Sequence, residues 1–181
     1  MTYIINLNII NQVLPAVAQK DCRNYLTVIN IRDDADGWRH YTATNAHVLL
    51  TIKEAIEGER LKEPLNLKIT KALKCKYQVN AKLNIVDEET AVIIGDEKTA
   101  IDIVDCVAPE YERVIPADTA PKAESYAIFD PEYLEIVNKF VGSKTKRPLM
   151  ETRLSPALWI VEDTKEGIVK KAVLMPIRAE D

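Results

Sequence analysis

The sequence predicts an α+β chain built from repeated β-α-β-β-β units, with helices gathered on one face of antiparallel sheets. Three observations carry this expectation. Apolar residues at helical spacing occur only in short, separate stretches, and most of the remaining chain alternates apolar and polar residues between Asp- and Gly-containing turns. The order strand, helix, strands also recurs about every sixty residues along the 181.

In the first unit Tyr3 to Leu7 reads as a strand. Asn8 then caps a helix whose apolar stripe is Ile9, Ile10, Val13, Leu14 and Val17, with Pro15 placed to kink or shorten it. Tyr25 to Ile31 is a strand, Asp33 to Gly37 a turn, Trp38 to Ala43 a strand, and Val48 to Ile52 another, reached through the corner Asn45-Ala46-His47. In the second unit Leu65 to Lys68 is a strand and Ile69 to Tyr77 a short helix. The strands Leu83 to Val86, Ala91 to Ile94 and Ile101 to Val104 follow. Ala117 to Ala123 reads as a linker. In the third unit Tyr126 to Phe129 is a strand. Asp130-Pro131 starts a helix carrying Tyr133, Leu134, Val137 and Val141, and strands run over 149–153, 158–162 and 169–175. One unit cannot cover both faces of its sheet, so units are expected to pair, and an odd number leaves one unpaired.

Composition narrows the function classes. With 24 basic and 28 acidic residues the formal net charge is −4, which excludes a uniformly basic nucleic-acid coat while allowing a basic face on an acidic body. Cys22, Cys75 and Cys106 are far apart and unpaired in sequence, so neither a disulfide framework nor a zinc finger is expected. His40 and His47 are the only histidines, and no metal site or cofactor is expected. Gly-rich phosphate loops, HExxH and nucleophile elbows are absent, so the chain is not expected to be an enzyme; Asp87-Glu88-Glu89 reads as a solvated turn. No apolar run approaches the ~20 residues of a membrane span, and no secretory signal is visible. A cytoplasmic protein with no membrane partner is the expectation.

Four segments carry a family resemblance. Ala43-Thr44-Asn45-Ala46-His47-Val48-Leu49 is similar to the Ala-Thr-Asp-Gly-His-Arg-Leu signature in the middle domain of the bacterial DNA polymerase III beta subunit, the sliding clamp. Residues 109–116, Pro-Glu-Tyr-Glu-Arg-Val-Ile-Pro, resemble the segment that ends that domain. Residues 173–178, Val-Leu-Met-Pro-Ile-Arg, resemble the clamp's C-terminal run, and 154–158 resemble part of its last domain. The order matches across nearly the whole chain. The resemblance implies a DNA-clamp fold in which residues 1–116 correspond to the middle clamp domain, 117–123 to a linker, and 124–181 to the C-terminal half of the last domain. Two arrangements would use the odd unit: several copies closing a ring, or a dimer whose two third units complete one domain.

What the family implies is a DNA-tracking ring without catalytic activity. Helices line its hole, and a pocket takes short linear peptides of DNA polymerases and repair proteins. Carried over residue by residue, the peptide-binding set is Thr44, Ala46, His47, Val48 and Leu49; Pro109, Arg113 and Val114; Leu154, Ser155 and Pro156; and Val173, Leu174, Met175, Pro176, Ile177 and Arg178. Ala46 stands where the family has Gly, and Val48 where it has Arg, which takes a charge from the pocket rim. Asn45 replaces Asp and Glu112 replaces Arg. Two roles are open to His47, donating to a peptide carbonyl or closing its turn. Met175 suits a groove that adapts to several partners.

Basic residues cluster in three places on or just after the expected helices: Lys20 and Arg23; Lys68, Lys71, Lys74, Lys76 and Lys82; and Lys139, Lys144, Lys146 and Arg147. Of these, Lys20, Arg23, Lys71, Lys74, Lys76, Lys139, Lys144, Lys146 and Arg147 are the residues expected to face DNA. They would contact phosphates without sequence preference. The leading expectation is therefore a shortened clamp-like processivity factor or docking platform, a homo-oligomer binding double-stranded DNA. The alternative is an interaction module of the same fold that binds clamp-docking peptides without encircling DNA.

Overall fold

A computed structural model describes residues 1–77, 79–120, 127–142, 148–163 and 167–177. Strand β1 (Thr2–Asn6) leads into helix α1 (Leu7–Val13). Strands β2 (Ile29–Asp33), β3 (Trp38–Thr44), β4 (Val48–Ala55), β5 (Leu65–Lys68), β6 (Asn80–Ile85), β7 (Thr90–Ile94) and β8 (Lys98–Ile103) follow, then helix α2 (Pro131–Val141) and strands β9 (Ala157–Asp163) and β10 (Ile168–Leu174). All strand pairings are antiparallel, in one sheet ordered β1-β6-β7-β8-β5-β2-β3-β4-β10-β9.

That order exchanges first strands between the first two units: β1 pairs with β6 of the second, and β5 pairs with β2 of the first. The two halves meet through only two residue pairs, Leu67↔Ile103 and Lys68↔Asp102. β10 adds to β4 over Lys53 to Val48, so the third unit continues the same sheet across the 117–123 segment.

Strand alternation sorts the side chains onto two faces. One face carries Ile31, Tyr41, Ala43, Leu50, Ile52, Ala172 and Leu174, and both helices pack on it through Ile9, Ile10, Val13, Val137 and Phe140. The other face carries a smaller cluster of Leu49, Leu158 and Val173, covered by Tyr111 from the strap that follows β8. At about 25 cal/mol per Å² of apolar area the helix-side core dominates stability.

Local chemistry explains the element ends. Asn6, not Asn8, caps α1: its Oδ1 accepts from the Asn8 and Ile9 N–H groups, each at 3.1 Å. Pro15 shortens the helix, which passes into a 3-10 turn over Leu14–Ala16. α2 starts as expected, with Asp130 accepting from the Glu132 N–H and Pro131 in the first turn.

The expected helix over Ile69 to Tyr77 is irregular chain instead. Its backbone is satisfied from outside: Asn11 of α1 donates to the Leu73 carbonyl at 2.7 Å and accepts from its N–H at 2.8 Å. Asp96 accepts from the Lys76 and Tyr77 N–H groups. Side chains that saturate a backbone in this way outcompete a helix too short to nucleate alone. The expected strand over Tyr25 to Ile31 begins only at Ile29, because Asn24–Leu26 closes a 3-10 turn. Ala127 to Phe129 is not a strand, and Tyr126 lies outside the described residues. Of the strand expected over 149–153, only the bridge Leu149↔Leu158 forms, since Thr152 and Ser155 bond each other around a turn. The β-α-β-β-β order is therefore complete only in the first unit.

Asp33, expected to open a turn, ends β2, and its side chain is buried against Arg39. The guanidinium donates to its two oxygens at 2.7 and 2.8 Å, to the Ile4 carbonyl, and to the Glu59 carbonyl at 3.1 Å. Beside it the Tyr41 hydroxyl donates to Glu54 at 2.7 Å and accepts from the Asn6 N–H. Burial raises the Glu54 carboxyl above its ordinary value.

Candidate functional site

Three chain segments converge where β4 and β10 begin and end. The β3–β4 corner is tied by its own side chains. Asn45 Oδ1 accepts from the His47 and Val48 N–H groups at 3.0 Å each, and the Thr44 hydroxyl donates to the Val48 carbonyl at 2.9 Å. Ala46 takes the left-handed conformation, φ 74°, that favours glycine. The His47 carbonyl accepts from the Met175 N–H at 3.0 Å, fixing the end of β10 to the corner. The His47 ring stacks on Tyr133 of α2, centroids 5.0 Å apart and planes 11° from parallel. The Ile177 N–H reaches the Ile128 carbonyl at 2.8 Å, which runs residues 175–177 past the start of α2.

The floor of this region is the smaller apolar cluster: Leu49, Leu158, Val173 and Tyr111, with Ile115, Ala108, Leu149 and Ile160 packed against it. Burial pushes the Tyr111 hydroxyl up to about 12, so it stays neutral. On the segments that supply that floor, the large apolar side chains of Val114, Leu154, Met175 and Ile177 are 49, 54, 44 and 44% exposed. Leu154 sits on the turn that Thr152 and Ser155 hold together. Scattered apolar residues on a surface are ordinary; several in segments that meet at one apolar floor mark a contact site.

The expected peptide set divides on inspection. Thr44, Leu49 and Val173 lie on the strap side, beneath the exposed side chains. Ala46 and His47 are exposed at the corner, and Ser155, Pro156 and Pro176 are half-buried nearby. Val48 and Leu174 point the other way, into the helix-side core, and are 1 and 0% exposed. Val48 therefore occupies no rim position, and its replacement of an arginine does not bear on the rim. Pro109 lines a cleft that also takes in Ala108 and Tyr111 of that floor, and Arg113 is exposed with its guanidinium 2.5 Å from Glu110. Arg178 lies outside the described residues. Tyr111, Leu158 and Tyr133 do not figure in the motif-based set, although Tyr111 stands between Glu110 and Glu112 as the one large ring of its segment.

The basic candidates are less concentrated than the sequence implies. α1 carries no lysine or arginine, and α2 carries Lys139 alone, paired with Glu135 at 2.6 Å. Arg23 is bidentate to Asp21, whose carboxyl it holds well below the usual range. Lys74 is 2.5 Å from Glu97. Lys20, Lys71 and Lys76 are exposed and make no ion pair among the described residues. Lys144, Lys146 and Arg147 lie outside them. Acids gather on the strap side, where Glu63, Asp87, Glu89, Asp102, Asp105 and Glu110 line a cleft of about 1240 Å³. The described residues hold no group of His, Cys, Asp and Glu fit for a metal ion, and no helix among them is long and apolar enough to cross a membrane.

This arrangement is the sliding-clamp fold. The DNA polymerase III subunit beta of Pseudomonas aeruginosa superposes with a TM-score of 0.77 at 17% identity, over 99% of this chain and 67% of that one. The beta sliding clamp of Caulobacter crescentus gives 0.72 at 15%, over 98% and 66%, and the beta subunit of Thermotoga maritima 0.70 at 15%, over 99% and 66%. The chain thus spans about two thirds of the length of the clamps it matches. No family model and no curated protein matches the sequence.

Proposed function

We propose that this chain is a non-catalytic, clamp-like docking platform with a processivity-factor-like role, which takes short linear peptides of DNA polymerases or repair proteins beside the β3–β4 corner. One observation carries the reading: Val114, Leu154, Met175 and Ile177 stay exposed on the three segments that also supply Tyr111, Leu158 and Val173 to one apolar cluster. An extended peptide with two or three apolar anchors would bury them. In this reading residues 1–116 act as a clamp domain and 124–181 as a half-domain completing the site. Titration with a fluorescent clamp-docking peptide tests it. Met175→Ala and Val114→Ala should each weaken binding about tenfold. No binding by the wild type, or wild-type affinity in both variants, sinks the proposal.

Whether DNA is held as well is a second question. Lys68, Lys71, Lys74 and Lys76 sit on one exposed segment, which favours non-specific phosphate contact. The pairing of Arg23, Lys74 and Lys139 with acids favours the alternative, a module that binds peptides without encircling DNA. Retention on closed circular DNA at low and moderate salt separates the two, since phosphate contacts weaken steeply as salt rises.

A further inference from the structure

The two ends of the sheet are built differently. At β1, the bonds Leu7 N–H to Val79 O and Ile85 N–H to Met1 O show that the odd-numbered residues face β6. Ile4 and Asn6 therefore turn their backbone groups outward. One group of each is taken: the Ile4 carbonyl accepts from Arg39, and the Asn6 N–H donates to the Tyr41 hydroxyl. Gly58 also lies against Ile4, where a Cβ would sit 3.5 Å from its Cγ1. Side chains of the same chain thus occupy this edge at two points.

At β9 the opposite holds. Leu149 and Leu158 exchange both backbone hydrogen bonds on the side away from β10, at 2.8 and 2.9 Å. Alternation then turns the N–H and C=O of Ile160 and Glu162 outward too, and among the described residues nothing pairs with them there. The strand has no proline and no lysine, and its only charges, Glu162 and Asp163, stand together at one end.

We infer that two copies of this chain associate through β9, antiparallel about a two-fold axis at Val161. Ile160 then lies opposite Glu162 of the second copy and the reverse, giving two narrow pairs with two backbone hydrogen bonds each. Charge selects this direction. Glu162 and Asp163 stand at one end of β9, so antiparallel pairing sets them against Ile160 and Trp159, whereas parallel pairing would stack acid on acid. Head-to-tail growth is hindered because the complementary edge at β1 is occupied at two points. The contact is therefore isologous and closes at two copies. The inference extends the docking-platform reading, since it joins two half-domains and makes an open arc carrying two peptide sites.

Sedimentation velocity of the full chain across the micromolar range tests it. The expected species has twice the 20.4 kDa of one chain. Glu162→Pro removes an outward N–H only and should give a folded monomer by circular dichroism. Val161→Glu and Val161→Lys each place like charges across the axis, so each should be monomeric and an equimolar mixture should recover the dimer. A wild type that stays monomeric, a dimer indifferent to these changes, or a mixture that does not reassociate overturns the inference. Peptide titration of the Glu162→Pro monomer keeps the two readings apart: binding there with dimerisation lost supports the β9 contact, and a wild-type dimer that binds no peptide fails the docking reading alone.

Discussion

Replacing Arg39 with methionine removes the guanidinium that joins β1, the β2–β3 turn and the 59–61 segment while keeping most of the side-chain volume. Arg39 is 1% exposed, and Asp33 keeps only 4% of its side chain in contact with water. The variant leaves Asp33 with one partner, the Leu61 N–H at 2.8 Å, and strips the Ile4 and Glu59 carbonyls of their donor. Removing one member of a buried ion pair costs about 3–5 kcal/mol, because the other charge stays desolvated. For a chain of this size that lowers Tm by roughly 6–20 °C. Urea unfolding should show a lower midpoint at unchanged slope. The double variant Asp33→Asn/Arg39→Met should recover roughly 1–3 kcal/mol of the loss, since the introduced asparagine would still accept from the Leu61 N–H without carrying a charge. The single variant also uncovers the β1 edge, so aggregation on heating should rise. An Arg39→Met protein within about 1 kcal/mol of wild type, or no coupling in the cycle, would refute the claim that this pair helps to cover the edge.

Ala46→Gly relieves a left-handed backbone at φ 74° and should stabilise the chain by up to about 1 kcal/mol in urea melts; a loss of stability would show that the corner is not strained. Glu54 gives a pH signature. Burial raises its folded pKa above the ordinary 4.5, so between that value and the folded one the native state holds more protons than the unfolded state. Its contribution is thus present at low pH and declines as pH rises through that window. Glu54→Gln should flatten this part of the stability–pH curve, and an unchanged slope would remove Glu54 as its source.

The hairpin β3–β4 and helix α2 are legible because their determinants are local: strand-forming runs on either side of the Asn45-Ala46-His47 corner, and an Asp-Pro start ahead of a helical stripe. The segment after β5 is not, because its structure is decided by Asn11, sixty-two positions away from Leu73. Asp33 reads as one acid of a turn for a similar reason, its partner being a buried arginine that composition counts as surface charge. At the candidate site the motifs pick out segments but do not sort their faces. Val48 and Leu49 are neighbours on one strand, as are Val173 and Leu174, and only one of each pair can face the strap. The period of two already holds that distinction; motif matching discards it.

The net charge of −4 is distributed in a way that bears on whether this protein surrounds DNA. Several acids do line the strap-side cleft, but Glu132 and Glu135 stand on α2 as well. The bases do not collect on the helices: α1 has none, and the single lysine of α2 is neutralised by the turn before it. The described basic surface is instead the irregular chain over 68–76, where a helix is missing and Asn11 and Asp96 hold the backbone in place. Phosphate contacts from one such segment give a modest, salt-sensitive affinity, because the salt slope counts the charges neutralised and few are available. With the β1 edge occupied at two points and β9 open, the fold supports two-fold pairing more readily than head-to-tail closure. If the proposed dimer binds DNA, pairing would double the basic segments offered to one duplex and raise their joint affinity without any new contact.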